Sequence, residues 1–205
     1  MFFFISLYLQ NVLHYSPIKT GISYLPLAVG IIISAGLASQ LVTRIGFKQT
    51  LIAGLLLITG GLLWFSQVPG IGGSYAADVL GPSLLAAVGF GFAFVSVTIA
   101  AVTGTRPHEA GLASGLINTS QQIGGALGLA ILATIANSRT QSLFHSGVHS
   151  ALVALTKGFD RAFLVGAGFA LLGAILAFVL ISSRDSREQS LAARKGDPAP
   201  AAAAG

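Results

Sequence analysis

Only 8% of the 205 residues are Asp, Glu, Lys or Arg, while 54% are apolar, 26 are glycine and the mean hydropathy is +0.83. Soluble globular domains carry about 25% charged residues, so a soluble fold of this size could not cover its surface, and the chain reads as an integral membrane protein. The formal charge of +5 comes from basic residues scattered in ones and twos, a pattern that cannot track a phosphate backbone, and the lack of cysteine excludes a disulfide framework, a thiolate metal site and a Cys nucleophile.

The first apolar run, 2–10, is a half-span, because a bilayer core of about 30 Å needs about 20 apolar residues. Phe2-Phe3-Phe4 directly after Met1 leave no basic n-region, and no small-residue cleavage site follows, so no signal peptide is expected. A short lipid-exposed stub would leave backbone groups unsatisfied. Residues before Met1 are therefore expected to complete this helix, a re-entrant or interfacial start being the alternative. Complete spans follow at 21–43, 50–68, 79–104, 110–136 and 161–182, which makes one membrane bundle over 1–182. Pro26 is positioned to kink the first of these, and Pro82 falls in the first turn of the span at 79–104. Residues 183–205 are polar and then Ala/Pro-rich, with no pattern able to bury a core, and read as a disordered tail.

Loop charges give the orientation. With the tail on the cytoplasmic side, that side holds Arg44, Lys48, Arg106, Arg184, Arg187, Arg194 and Lys195, and the other holds Lys19, Arg139, Lys157 and Arg161. The excess predicts a cytoplasmic C-terminus.

Polar residues are distributed unevenly among the spans. The spans 50–68 and 161–182 are apolar nearly all round and are expected at the lipid-facing periphery. The span 110–136 is different. At 100° per residue, Gly111, Gly115, Asn118, Gln122 and Gly125 fall close to one line, flanked by Ser114 and Gln121. Small residues four apart let backbones approach, and amides hydrogen-bond across the contact. The stripe reads either as helix-packing glue or as the lining of a substrate path. The span 79–104 carries Gly89, Phe92, Ala93, Ser96, Ala100 and Thr103 along one face, which suits a greasy cavity, although such a phenylalanine also serves ordinary packing. Arg106-Pro107-His108-Glu109 places Pro and then an acid at the start of the polar helix, as the helix dipole favours.

No complete span, as bounded here, contains Asp, Glu, Lys, Arg or His in its interior, so a proton-carrying group is expected elsewhere. No Ser/His/Asp order, P-loop or HExxH pattern is present. His145 and His149 sit i, i+4 in the segment 137–160, with Asp160 the nearest acid. A structural zinc site takes four ligands, so no metal site, cofactor or enzymatic activity is expected.

Ser6-Leu7-Tyr8-Leu9-Gln10, then Tyr15-Ser16-Pro17, Gly21 and Leu25-Pro26, resemble the ninth-to-tenth helix region of fourteen-helix drug:proton antiporters of the EmrB/QacA type, within the major facilitator superfamily. Glu109-Ala110-Gly111-Leu112-Ala113-Ser114-Gly115, continuing through Asn118 and Gln121 to Gly128, resembles that family's thirteenth helix. Thr43-Arg44-Ile45-Gly46-Phe47-Lys48 resembles the superfamily's short basic loop Asp-Arg-x-Gly-Arg-Lys. Arg44, Gly46 and Lys48 match in place, while Thr43 stands at the acid's position and Phe47 at an Arg's. The resemblance covers nearly all of 2–182.

The resemblance implies an all-α membrane fold, the C-terminal six-helix bundle of a major facilitator permease with its first helix truncated. It implies proton-driven efflux of hydrophobic or cationic small molecules across the bacterial cytoplasmic membrane, with an N-terminal bundle as the missing partner and the proton-handling carboxylates located there. The first and fourth helices would line the cavity, with Tyr8, Phe92 and Ser96 as candidates. The second and fifth would form the bundle interface, with Gly111, Gly115, Asn118, Gln122 and Gly125 as candidates. Arg44, Gly46 and Lys48 would form a tight cytoplasmic turn. The rival reading is a non-transporting membrane protein, either truncated or an interaction module for a full-length permease.

Overall fold

The computed structural model describes residues 1–68, 74–102, 109–148, 150–183, 186 and 190–191. Residues 69–73, Thr103, Gly104, Arg106-Pro107-His108, His149 and most of the tail beyond 183 lie outside these residues. Every element among the described residues is helical. Helix α1 (Phe2–Leu7) runs into a π-helical turn (Tyr8–Val12), followed by α2 (Pro17–Ser23), α3 (Leu25–Ile45) and α4 (Phe47–Phe65). A second π-helical segment (Tyr75–Leu80) leads into α5 (Gly81–Val102), and α6 (Ala110–His145) and α7 (Ala151–Leu180) complete the bundle. Five helical stretches are long and apolar enough to cross a membrane: Pro17–Ile45, Phe47–Phe65, Asp78–Ala101, Gly111–His145 and Ala151–Leu180. Phe2–Val12 is a shorter apolar helix.

Local chemistry sets the helix ends. Ser16 Oγ accepts the Lys19 N–H at 3.3 Å and Pro17 opens α2, where its missing N–H costs nothing. Pro26 then denies Ile22 its i+4 donor, so the helix breaks at Tyr24 and restarts as α3. The Tyr24 hydroxyl donates to the Phe2 carbonyl at 2.7 Å and lies 2.8 Å from Ser6 Oγ, tying α2–α3 to α1. The π turn is closed by Leu13 N–H donating to the Tyr8 carbonyl at 3.1 Å.

Close backbone contacts build the bundle. Gly54 of α4 faces Gly89 of α5 so tightly that a Cβ on Gly89 would lie 2.6 Å from the Gly54 carbonyl oxygen. Gly61 stands likewise against Ala86, and Gly91 of α5 against Ser34 of α3. Ser34 Oγ donates to the Ala87 carbonyl at 3.2 Å, a satisfied polar contact inside an apolar interface. On the other side, Thr140 of α6 donates to Ala136 at 2.9 Å and to Ala154 of α7 at 3.3 Å, across the gap left by Gly158.

Phe4, Ile5, Tyr8 and Leu9 of the short first helix are buried in the core with Ile58, Leu62, Phe65, Phe159 and Phe163. One expectation is corrected: the span 50–68 is not simply peripheral. Helix α4 buries Leu51, Gly54, Ile58, Gly61, Leu62 and Phe65 between α5 and α7, and exposes only a strip that includes Leu56, Leu63 and Trp64. Lipid and protein both accept an apolar helix, and the glycines at 54 and 61 marked the protein side. The far half of α7 does present an apolar outer face, with Leu172, Ile175, Phe178, Val179 and Leu180 exposed.

Candidate functional site

The expected cavity residues do not converge. Tyr8 is 5% exposed and, on the first π turn, lines a small, partly open cavity with Asp78, Thr156, Phe159 and Asp160. Phe92 is half-buried and lines a separate open pocket of about 230 Å³ with Leu37, Gln40, Leu41 and Arg44 of α3. Ser96, one turn further along α5, is fully buried, and its Oγ has no hydrogen-bond partner among the described residues.

The bundle-interface candidates are all exposed. Gly111, Gly115, Asn118, Gln122 and Gly125 face outward from α6, and a Cβ added at any of the three glycines would meet nothing within 4 Å. The C-terminal part of α6 is packed, through Leu132, Ala133, Ala136 and Thr140. The turns before it carry Gly111, Gly115, Asn118, Gln122 and Gly125 on a face that no described element covers.

Of the basic-turn candidates, Gly46 has φ +91 and ψ 160, a conformation that L side chains rarely adopt, and a Cβ there would lie 2.9 Å from the Ser186 carbonyl oxygen. Lys48 Nζ donates to the Ile181 carbonyl at 2.6 Å and to Ser183 Oγ at 3.1 Å, at the C-terminal end of α7. Arg44 is exposed at the end of α3, on the rim of the pocket that holds Phe92.

Three features escape the sequence reading. First, α6 continues nine residues beyond 136, to His145, and α7 begins at Ala151, ten residues before 161. Lys157, Asp160 and Arg161, assigned above to a loop or its edge, therefore stand on a helix, and Asp160 is 9% exposed with its carboxylate 3.1 Å from Lys157 Nζ. Second, both π segments contribute a polar side chain, Tyr8 and Asp78, to the same small cavity as Asp160. Such segments recur at functional sites, and no sequence pattern announces them. Third, a larger apolar cavity of about 470 Å³ is walled by Phe4, Ile58, Phe90, Leu127, Gly128 and Phe169, on α1, α4, α5, α6 and α7. Phe90 and not Phe92 faces it; Phe4 on the short first helix was the available signal. Outside the spans, burial raises the Tyr75 phenol above its ordinary range, and its hydroxyl donates to the Ser23 carbonyl at 2.6 Å. No group of three or more His, Cys, Asp or Glu able to hold a metal occurs among the described residues.

Residues 1–129 match the family model described as Major Facilitator Superfamily. Similar curated proteins include a puromycin resistance protein of Streptomyces alboniger, 34% identical over 90% of this chain and 38% of its own length. A cephamycin export protein of Amycolatopsis lactamdurans is 33% identical over 68% of this chain and 29% of its own. A tetracenomycin C resistance and export protein of Streptomyces glaucescens is 31% identical over 69% of this chain and 26% of its own. The chain thus spans less than two fifths of the length of each of these relatives.

Proposed function

This chain belongs to the major facilitator superfamily, and from that premise we propose that it forms the C-terminal bundle of a permease that exports hydrophobic or cationic small molecules. The observation that carries this reading is the outer face of α6. A helix meant for lipid alone has no use for Asn118, Gln121 and Gln122 beside three open glycines at 111, 115 and 125. A second helical bundle packing on it would satisfy the amides and use the close approach the glycines allow. Rocking of two bundles about such a face is how the superfamily fold alternates access. The relatives named for puromycin resistance, cephamycin export and tetracenomycin export support antibiotic-like cargo. The apolar cavity walled by Phe4, Phe90 and Phe169 has the size and lining expected for a small greasy ligand.

In this reading export is driven by proton influx, the bundle lies in the bacterial cytoplasmic membrane with its C-terminus inside, and Tyr8, Phe92 and Ser96 contribute to different stages of the path. Gln122→Leu in the intact transporter should cut efflux at least several-fold while membrane insertion, measured by blotting the membrane fraction, stays unchanged. Normal efflux with Leu at 122 would remove the amide from the mechanism.

A further inference from the structure

Near the end of the bundle where α6 leads into α7, an open cavity of about 580 Å³ is lined by Arg139 of α6 and by Lys157 and Arg161 of α7, together with Ser66, Ser138 and Asp160. Its charge is unbalanced. Asp160 is committed to Lys157 at 3.1 Å, and neither the Arg139 nor the Arg161 guanidinium has a hydrogen bond or ion pair with any described residue. Two guanidinium groups on adjacent helices thus share one wet cavity with no protein anion to hold.

The depth of this cavity follows from α7. From Ala162 to Leu180 the helix carries no polar side chain, a stretch of about 28 Å at 1.5 Å per residue, close to the thickness of a hydrocarbon core. Lys48 and Ser183 mark its other end. Arg161 therefore stands where hydrocarbon gives way to headgroups, and Leu164 and Ile135 continue the cavity wall on the apolar side. An ionic pocket at that depth, open sideways with a greasy lower rim, has the layout of a phospholipid: phosphodiester above, acyl chain below.

We propose that Arg139 and Arg161 form a binding site for the phosphodiester headgroup of an anionic phospholipid. Guanidinium forks match phosphate oxygens in a bidentate manner, Ser138 and Ser66 supply neutral hydroxyls around them, and Lys157 with Asp160 closes the inner wall as a neutral pair. A zwitterionic lipid brings a cation that finds no free carboxylate here. The site thereby selects anionic over zwitterionic headgroups and pins the α6–α7 corner at the membrane surface. It is independent of what the bundle transports.

The test uses the full chain purified in detergent and native mass spectrometry with added phosphatidylglycerol or phosphatidylcholine. The expected result is one retained phosphatidylglycerol per chain, with phosphatidylcholine retained far less. The double variant Arg139→Gln/Arg161→Gln should weaken phosphatidylglycerol binding roughly 30-fold, and Arg44→Gln at the other end should leave it unchanged. Arg139→Lys/Arg161→Lys, which keeps the charge, should retain the preference for phosphatidylglycerol, and it decides the matter if the glutamine variant fails to fold. Equal retention of the two lipids, or full retention by a folded glutamine variant, would overturn the proposal. Displacement of phosphatidylglycerol by millimolar inorganic phosphate would overturn the lipid and leave a free-anion site.

Discussion

Lys48 is fixed by three bonds: its Nζ donates to the Ile181 carbonyl and to Ser183 Oγ, and its backbone N–H donates to Ser186 Oγ at 3.1 Å. A cation beside a carbonyl just past the end of α7 sits where the helix dipole is negative, and its ammonium stands over the Phe178 ring, 5.2 Å from the centroid. The basic turn between α3 and α4 is therefore a clasp on α7, 133 residues away in sequence. Gly46 makes the clasp possible, because only glycine accepts its backbone conformation with Ser186 so near. Gly46→Ala should cost about 1–3 kcal/mol and Lys48→Met about 1 kcal/mol. Both read out as a lower midpoint of thermal unfolding in detergent, with the larger drop for Gly46→Ala. An unchanged midpoint for Gly46→Ala would mean that the clasp carries no stability. The resemblance implied a tight basic turn here, but the partner at Ile181 lay beyond any local pattern.

Helix packing turns on the same economy of small residues. Gly54 and Gly89 bring α4 and α5 together so that a Cβ on either would fall within 3 Å of backbone in the other. Gly89→Ala should therefore push the helices apart and destabilise by about 1–3 kcal/mol. Gly168→Ala on α7, where nothing lies within 4 Å, should be neutral or slightly stabilising through helix propensity. Equal effects of the two substitutions on the unfolding midpoint would dismiss the close approach as a source of stability. Elements were legible to differing degrees for physical reasons. Long apolar runs predicted the spans because hydrocarbon enforces a length. Helix ends at 145 and 151 were missed because charge stops a membrane span and not a helix: Arg139, Lys157 and Arg161 are good helix formers once clear of lipid. The π turns were invisible because a single inserted residue leaves no mark on periodicity.

At the scale of the molecule, the bundle is lopsided. Helices α3, α4, α5 and α7 bury their small residues against one another, whereas α6 leaves its N-terminal turns bare. The periodic stripe from Gly111 to Gly125 was readable in the sequence, since a 3.6-residue repeat needs no tertiary information. Which way it pointed was not, because packing glue and path lining share one composition. Nor could the sequence gather Tyr8, Asp78 and Asp160 in one cavity, for they come from three elements brought together only by the fold. An amide-bearing face left in a micelle has one ready partner, the same face of another copy. The purified chain alone should therefore sediment as a dimer or larger in detergent, and Asn118→Leu/Gln122→Leu should shift it to monomer by removing the interhelical hydrogen bonds, each worth about 0.6 kcal/mol or more in a membrane. A wild-type chain that sediments as a monomer at every concentration would show that lipid or detergent satisfies α6 unaided. The need for a second bundle would then have to rest on transport and not on packing.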